Sequence, residues 1–280
     1  MRFHGQLTTG HGSLILADRT LVMGILNVTP DSFSDGGRYF DDAAAVRRGL
    51  ELAADGADLI DIGGESTRPG ATDVPPDEQI RRIEPVIRKL RAANLAIPIS
   101  ADTRSAAVAA VALDAGADII NDVSAGTHDP AMLDLAAHRG VPIILMHMRG
   151  DPATMQNDPR YGDVVTEVRA ELAQRISEAL AAGVQAERIL LDPGIGFSKT
   201  AEHNWELLRR LPELLTLGRP LLVGTSRKRF IRAAVGDDPR AVEFGTAATV
   251  AACAAAGAHI VRVHDVAAAR AVVRVAARLQ

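Results

Sequence analysis

Apolar runs recur along this 280-residue chain, and nearly every one ends on a polar or ionisable residue: Asn27, Asp61, Asp102, Asn121, His147, Asp192, Ser226, then Arg262 with His264. Asp102, Asn121 and Asp192 bring together acceptors suited to a planar donor edge. A carboxylate can accept two hydrogen bonds from an amidine-like N–H/NH2 edge, such as that of a 2-amino-4-oxo-pyrimidine ring. The alternative is helix N-capping, strongest for Asp102 because SAAVAAV follows it, and Asp61 and Asp122 share that ambiguity. Arg262 and His264 are two apart and project on one face of a strand. An arginine on a barrel rim needs an anion, either a ligand or one of the rim carboxylates. Beside it, ligand contact and a structural role for His264 stand about even. In TSRKRF (225–230), Lys228 and two arginines open a helix. Cations are unfavourable at that end, so a phosphate-binding role is preferred to a solvated basic turn.

Four connecting segments carry further chemistry. NVTPDSFSDGG (27–37) surrounds Phe33 and Asp35 with Pro and Gly, which suggests a mobile lid in preference to an ordinary turn. In GGESTRPGA (63–71), paired glycines admit close backbone approach and Arg68 offers a planar fork for phosphate or carboxylate. DPGIGFSKT (192–200) has a Gly-x-Gly that would suit an anion nest, without P-loop spacing. The stretch 148–163 lacks apolar periodicity and is expected to be an active-site loop.

The elements positioning these residues read as alternating strands and helices. LVMGILN (21–27), DLIDIGG (58–64), IPISAD (97–102), DIINDV (118–123), PIILMH (142–147), RILLDP (188–193), PLLVGTS (220–226) and HIVRVHD (259–265) are rich in Ile, Leu and Val and too short for helices. Between most of them lie Ala-rich helical segments such as 41–56 and 105–116, opening on Asp or Ser and closing on Gly. ADGADLIDIG, DAGADIINDV and AAGAHIVRVH each run from a helix-ending Gly straight into a strand, as parallel βαβ units require. Eight strands fit a closed (β/α)8 TIM barrel, typically roughly 250 residues, with an open six- or seven-stranded sheet as the fallback. Residues 8–20 are expected to form a short N-terminal hairpin or plug.

Hydrophobic residues make up 47% of the chain and charged residues 24%, so one large core and a single domain over 1–280 are expected. No signal peptide and no run of about 18 apolar residues is found, which predicts a soluble, cytoplasmic protein. Cys253, the one cysteine, lies in an Ala-rich helix and is expected to be a buried thiol. A formal charge of −4 without basic runs disfavours nucleic acid.

NVTPDSFSDGG, DIGGESTRPGA, NDVS, DPGIGF, GTSRKRF and RVHD together, in this order over residues 23–265, resemble the signature segments of the dihydropteroate synthase family. The resemblance implies a (β/α)8 barrel, usually homodimeric, that joins 4-aminobenzoate to dihydropterin pyrophosphate. It implies that Asn27 helps hold Mg2+ on the pyrophosphate and that Asp102, Asn121, Asp192 and Lys228 grip the pterin. Arg262 and His264, with Thr67 and Arg68, would hold pyrophosphate. Phe33, Asp35, Pro69 and Phe197 would shape the aminobenzoate pocket or the closed state. Asp35, Arg68, Lys228 and His264 are the expected catalytic residues; Asp61, Met146, Ser226 and Arg229 join the substrate-binding set. The implied reaction is a dissociative alkyl transfer in which Asp35 stabilises a pterin-methyl cation.

Two positions depart from the pattern. Arg229 stands where some relatives carry Ser against the aminobenzoate carboxylate, and Ala101 replaces a larger aliphatic residue. The rival readings are a pterin-binding methyltransferase barrel and a non-catalytic pterin-binding paralogue. The combination of DSFSDGG, STRPGA and SRKRF disfavours the first, and the presence of Asp35, Arg68, Lys228 and His264 the second.

Overall fold

The computed structural model describes residues 3–16, 19–29, 42–66, 73–151 and 154–279. Its strands are β1 (Gln6–Thr9), β2 (Gly12–Ile15), β3 (Leu21–Asn27), β4 (Leu59–Gly63), β5 (Ile99–Asp102), β6 (Ile119–Asp122), β7 (Ile143–Met146), β8 (Ile189–Asp192), β9 (Leu222–Val223) and β10 (Ile260–Val263). The helices are α1 (Asp42–Ala54), α2 (Pro76–Ala92), α3 (Ala106–Ala115), α4 (Ala131–Arg139), α5 (Val164–Ala181), α6 (Ala201–Arg209), α7 (Arg229–Val235), α8 (Pro239–Ala255) and α9 (Val266–Ala276).

Strands β3 to β10 form one parallel sheet in the order β8-β7-β6-β5-β4-β3-β10-β9. A parallel bridge between Leu191 and Leu221, with the Leu191 N–H donating to Pro220 O at 2.9 Å, joins its two ends. The sheet is therefore the expected (β/α)8 barrel and not the open fallback. Its seventh strand is shorter than the apolar run 220–226 suggests, because only Leu222 and Val223 keep ladder geometry.

Period-two alternation divides the strand residues between two cores. Leu21, Met23, Leu59, Ile119, Ile144, Leu190, Leu222 and Ile260 fill the lower barrel interior, while Val22, Ile60, Ile120, Leu191 and Val261 face the helices. The antiparallel β1–β2 hairpin inserts Leu7 and Leu14, followed by Leu16, into the interior cluster. It is the expected plug. Leu14→Ala should cost ~2–4 kcal/mol by leaving a cavity in that layer. Urea unfolding measures it, and a loss below ~0.5 kcal/mol would show that the plug is not packed.

Helix ends follow the sequence signals only in part. Gly116 adopts left-handed backbone and closes α3 as anticipated, and Gly140 closes α4 in the same way. Ser105 precedes α3, but its side chain makes no cap. Asp129, from the neighbouring β6–α4 connection, accepts the Ala106 N–H at 2.8 Å instead.

Candidate active site

Two residues beyond the apolar interior layer, the same strands turn Asp61, Asn121, Asp192 and Arg262 toward the barrel mouth. Asp61 is fully buried and accepts from three neighbours: Ser100 Oγ, Asn121 Nδ2 at 3.0 Å and Arg262 Nε at 2.6 Å. It thus fixes the side chains of β6 and β10 from β4. A second nitrogen of Arg262, Nη2, donates to Asp102 Oδ2 at 2.8 Å. The remaining oxygen, Asp102 Oδ1, is buried with no protein partner. Leaving such an acceptor unmatched costs ~1–3 kcal/mol, and a donor on a ligand would recover it. Burial, and then the charge of Asp61, push the Asp102 carboxyl above its usual range, while Arg262 opposes them.

Across the mouth, burial also pushes the Asp192 carboxyl up, opposed by the Lys228 charge and the Gly194 N–H. That N–H donates to Asp192 Oδ1 at 2.7 Å. Lys228 donates to Ile195 O, and its ammonium lies 4.5 Å from the centroid of the Phe197 ring. Desolvation lowers the Lys228 ammonium to about 8, with Asp192 pulling it back up. Met146, at the end of β7, is buried and in register with Asp192. The pocket thus offers acceptors at Asp102 and Asp192, a mixed amide at Asn121, a cation at Lys228 and apolar surface at Met146 and Phe197. That set matches a flat, polar-edged heterocycle.

The turn after β9 explains how one of three consecutive cations faces inward. Arg227 takes a left-handed φ of 58°, its N–H donates to Thr246 Oγ1 at 3.1 Å, and its guanidinium pairs with Glu243 at 2.6 Å. Arg227 and Arg229 are exposed at this turn, with Arg229 opening α7. Ser226 Oγ shares a 2.9 Å hydrogen bond with His264 Nδ1, joining the ends of β9 and β10. Asn27 ends β3 on the same rim.

Two readings weighed from the sequence, a Gly-x-Gly nest and an Asp102 cap, are not borne out. The Gly-x-Gly of 194–196 is not an anion nest, because the Gly194 N–H is taken by Asp192 and the Gly196 N–H by Asn204 Oδ1 at 2.6 Å. Glycine is required at 194 for a different reason: a Cβ there would stand 1.9 Å from the His147 carbonyl oxygen. Asp102 is no helix cap, since its carboxylate turns to Arg262; among the ambiguous aspartates it is Asp122 that bonds local N–H groups, at Ser124 and Gly126. Arg262 meets the rim-carboxylate alternative read from the sequence, its Nε serving Asp61 and its Nη2 Asp102. Phe33 and Asp35, within 30–41, and Thr67, Arg68 and Pro69, within 67–72, lie outside the described residues.

Sequence reasoning missed other buried ions. Lys199 Nζ lies 2.9 Å from His147 Nδ1, while His147 Nε2 lies 2.9 Å from Glu171, which also pairs with Arg149. Arg149 stacks 4.1 Å from the Tyr161 ring centroid, so much of the 148–163 stretch is tied to α5. Buried Arg104 bonds Asp73 at 2.8 Å and Glu65 at 3.4 Å, and the Val74 N–H donates to Glu65 at 2.8 Å. These contacts join the two flanks of 67–72. Lys199 was visible in FSKT, but nothing local distinguishes an enclosed lysine from a solvated one. Among the described residues, no group of three His, Cys, Asp or Glu could hold a metal ion. No helix among them is long and apolar enough to cross a membrane.

Comparison with known proteins matches the family model for pterin binding enzymes to residues 23–264. The dihydropteroate synthase of Synechocystis sp. is 53% identical over 249 residues, covering 89% of this chain and 86% of that protein. A solved structure of Xanthomonas albilineans dihydropteroate synthase with 4-aminobenzoic acid superposes with a TM-score of 0.92 at 47% identity, covering 99% of this chain and 98% of that one. The same enzyme in complex with 7,8-dihydropteroate superposes with a TM-score of 0.88 at 45% identity, covering 99% of each chain. Barrel, rim chemistry and these matches agree: the chain belongs to the pterin binding enzyme family, among the dihydropteroate synthases.

Proposed function

We propose that this chain condenses (7,8-dihydropterin-6-yl)methyl diphosphate with 4-aminobenzoate, giving 7,8-dihydropteroate and diphosphate. The single observation that carries the reading is the unpartnered, buried Asp102 Oδ1, set at the same end of the barrel as Asn121, Asp192 and Lys228. The 2-amino and ring N–H donors of a pterin suit the two carboxylates, and its 4-oxo group suits the Lys228 ammonium. Arg262 then serves the pterin end by holding Asp61 and Asp102 in place.

The diphosphate falls to His264, Thr67, Arg68 and the Asn27 end of the rim, with the remaining guanidinium nitrogen of Arg262 beside them. Asn27 offers one hard amide oxygen, which fits Mg2+ held chiefly by substrate phosphate oxygens and not by a protein cage. Mg2+ bound there would neutralise charge on the diphosphate. Asp35 is assigned to the positive charge that develops on the pterin methylene as the C–O bond lengthens. Phe33, Pro69 and Phe197 are assigned to the arylamine pocket, and Arg229 is assigned to the 4-aminobenzoate carboxylate. The arylamine attacks with its own lone pair, so no strong base is required. A homodimer working in the cytoplasm completes the reading.

The test is diphosphate release by purified protein given the dihydropterin diphosphate and Mg2+, with and without 4-aminobenzoate. Release coupled to dihydropteroate formation supports the synthase reading, and slower release without arylamine supports a dissociative step. Pterin binding without release in either case would make the chain a non-catalytic binder.

Pterin affinity should follow a bell-shaped pH profile. Asp102 and Asp192 accept from the ring only when ionised, so affinity rises with pH through their elevated range. Lys228 donates only when protonated, so affinity falls again above about 8. Calorimetric titration with 6-hydroxymethylpterin between pH 5 and 9.5 would read the profile, and a flat response would remove these groups from the site.

A further inference from the structure

Lys199 is buried in the connection between β8 and α6, with only 3% of its surface exposed. Its Nζ lies 2.9 Å from His147 Nδ1 and donates to the Phe197 carbonyl at 3.0 Å. One ammonium therefore ties the turn that carries Asp192 and Phe197 to the residue following β7. The tie continues outward, because His147 Nε2 lies 2.9 Å from Glu171 on α5. Gly194 fits this arrangement closely: a Cβ there would meet His147 O at 1.9 Å and Lys199 Nζ at 3.4 Å. The loop and the strand end can thus move together only by small amounts.

We propose that Lys199 is a positioning residue for the pterin pocket, pinning the turn that bears Asp192 and Phe197 against the end of β7 without itself touching the substrate. The proposal rests on the synthase reading above. Phe197 meets the Lys228 ammonium through its ring and Lys199 through its carbonyl, so the two lysines hold one residue from two sides.

Electrostatics support the geometry. His147 is held to about 4, first by burial and next by the Lys199 charge, so it stays neutral. A neutral ring with its proton on Nε2 donates to Glu171 and accepts from Lys199 at Nδ1. Burial lowers Lys199 to about 7, while Asp192 and Glu171 pull it up and Lys228 and Arg149 push it down. His203 on α6 also feels the Lys199 charge. The Lys199 charge in turn favours ionised Asp192, after the larger effects of Lys228, the Gly194 N–H and Arg262. Removing it should loosen the turn and raise the pH needed to ionise Asp192.

The experiment is calorimetric binding of 6-hydroxymethylpterin to the full chain and to Lys199→Met and Lys199→Arg, across pH 5–9, with steady-state kinetics alongside. Lys199→Met should weaken pterin binding about 10-fold, raise KM for the dihydropterin diphosphate more than it lowers kcat, and move the acid limb of the binding profile to higher pH. Lys199→Arg, which keeps the charge, should return that limb to its wild-type position. Binding by Lys199→Met within twofold of wild type, or an acid limb unmoved, overturns the proposal. Equal losses in the Met and Arg variants, with the limb unmoved in both, would reduce Lys199 to a packing role and overturn it too. If Lys199→Met does not fold, Lys199→Gln is measured in its place. Its amide can donate to the same two acceptors without charge, and a loss under twofold with an unmoved limb would again overturn the proposal. Wild-type protein that binds no pterin at all would instead remove the synthase reading, a result distinct from any of these.

Discussion

Asp192→Asn is expected to weaken binding of 6-hydroxymethylpterin by about two orders of magnitude, equivalent to ~3 kcal/mol, while leaving the barrel folded. The substitution keeps the shape of the side chain and an oxygen able to accept the Gly194 N–H now bonded at 2.7 Å. It replaces a charged acceptor by a neutral one and can turn an NH2 group toward the donors of the ring. It also removes the largest influence that keeps the Lys228 ammonium charged against its burial. Two ligand contacts weaken through one change, whereas the β7–β8 ladder, including the Met146–Asp192 pairing, is made by backbone. Calorimetric titration at pH 7.5 with parallel thermal unfolding separates the two effects. Affinity within threefold of wild type would show that Asp192 does not face the pterin.

Much of the site was legible because a barrel imposes a simple rule on sequence. Each inward strand position near the carboxyl end meets the same mouth, so a polar residue that ends an apolar run is already placed. Asp61, Asn121, Asp192 and Arg262 obey this, each two residues beyond an interior Leu or Ile. The plugging hairpin was legible for a related reason, since the barrel floor needs apolar cover and the first residues supply Leu7, Leu14 and Leu16.

Pairing across the barrel was not legible. The sequence shows that Arg262 needs an anion, but the choice of Asp61 and Asp102 depends on β10 lying beside β3 and facing β4 and β5, a closure fixed by residues far apart in the chain. The same blindness hid Asp129 as the cap of α3 and made Gly-x-Gly look like a nest, because the Asn204 that claims the second N–H sits on the next helix. Lys199 and Lys228 look alike in sequence. Only the fold shows that one bonds the residue after β7 while the other lies over the Phe197 ring.

Arg262→Met should be the most destabilising change at the rim, and its penalty should grow with pH. Arg262 bridges Asp61 at 2.6 Å and Asp102 at 2.8 Å, and Asp61 is fully enclosed. Removing one side of a buried ion pair typically costs ~3–5 kcal/mol, because the remaining charge stays desolvated. Here two carboxylates lose their shared counter-ion. The least costly response is protonation of Asp102, whose carboxyl already lies above its ordinary range through burial and the Asp61 charge, with Arg262 opposing the shift. Without Arg262 that shift becomes larger. A group whose folded-state pKa is raised above its unfolded value contributes stability at low pH and loses it as pH rises through the folded value. The variant should therefore lie closest to wild type near pH 5, where Asp102 holds its proton, and furthest from it at pH 8. Arg262→Lys should recover only part of the loss, since a compact ammonium reaches one carboxylate where the planar fork reaches two. Urea unfolding at pH 5, 6.5 and 8 would read this directly. A penalty constant across that range would mean that the two aspartates are not electrostatically dependent on Arg262, and the organisation of the pocket around the Asp61–Arg262–Asp102 bridge would fall with it.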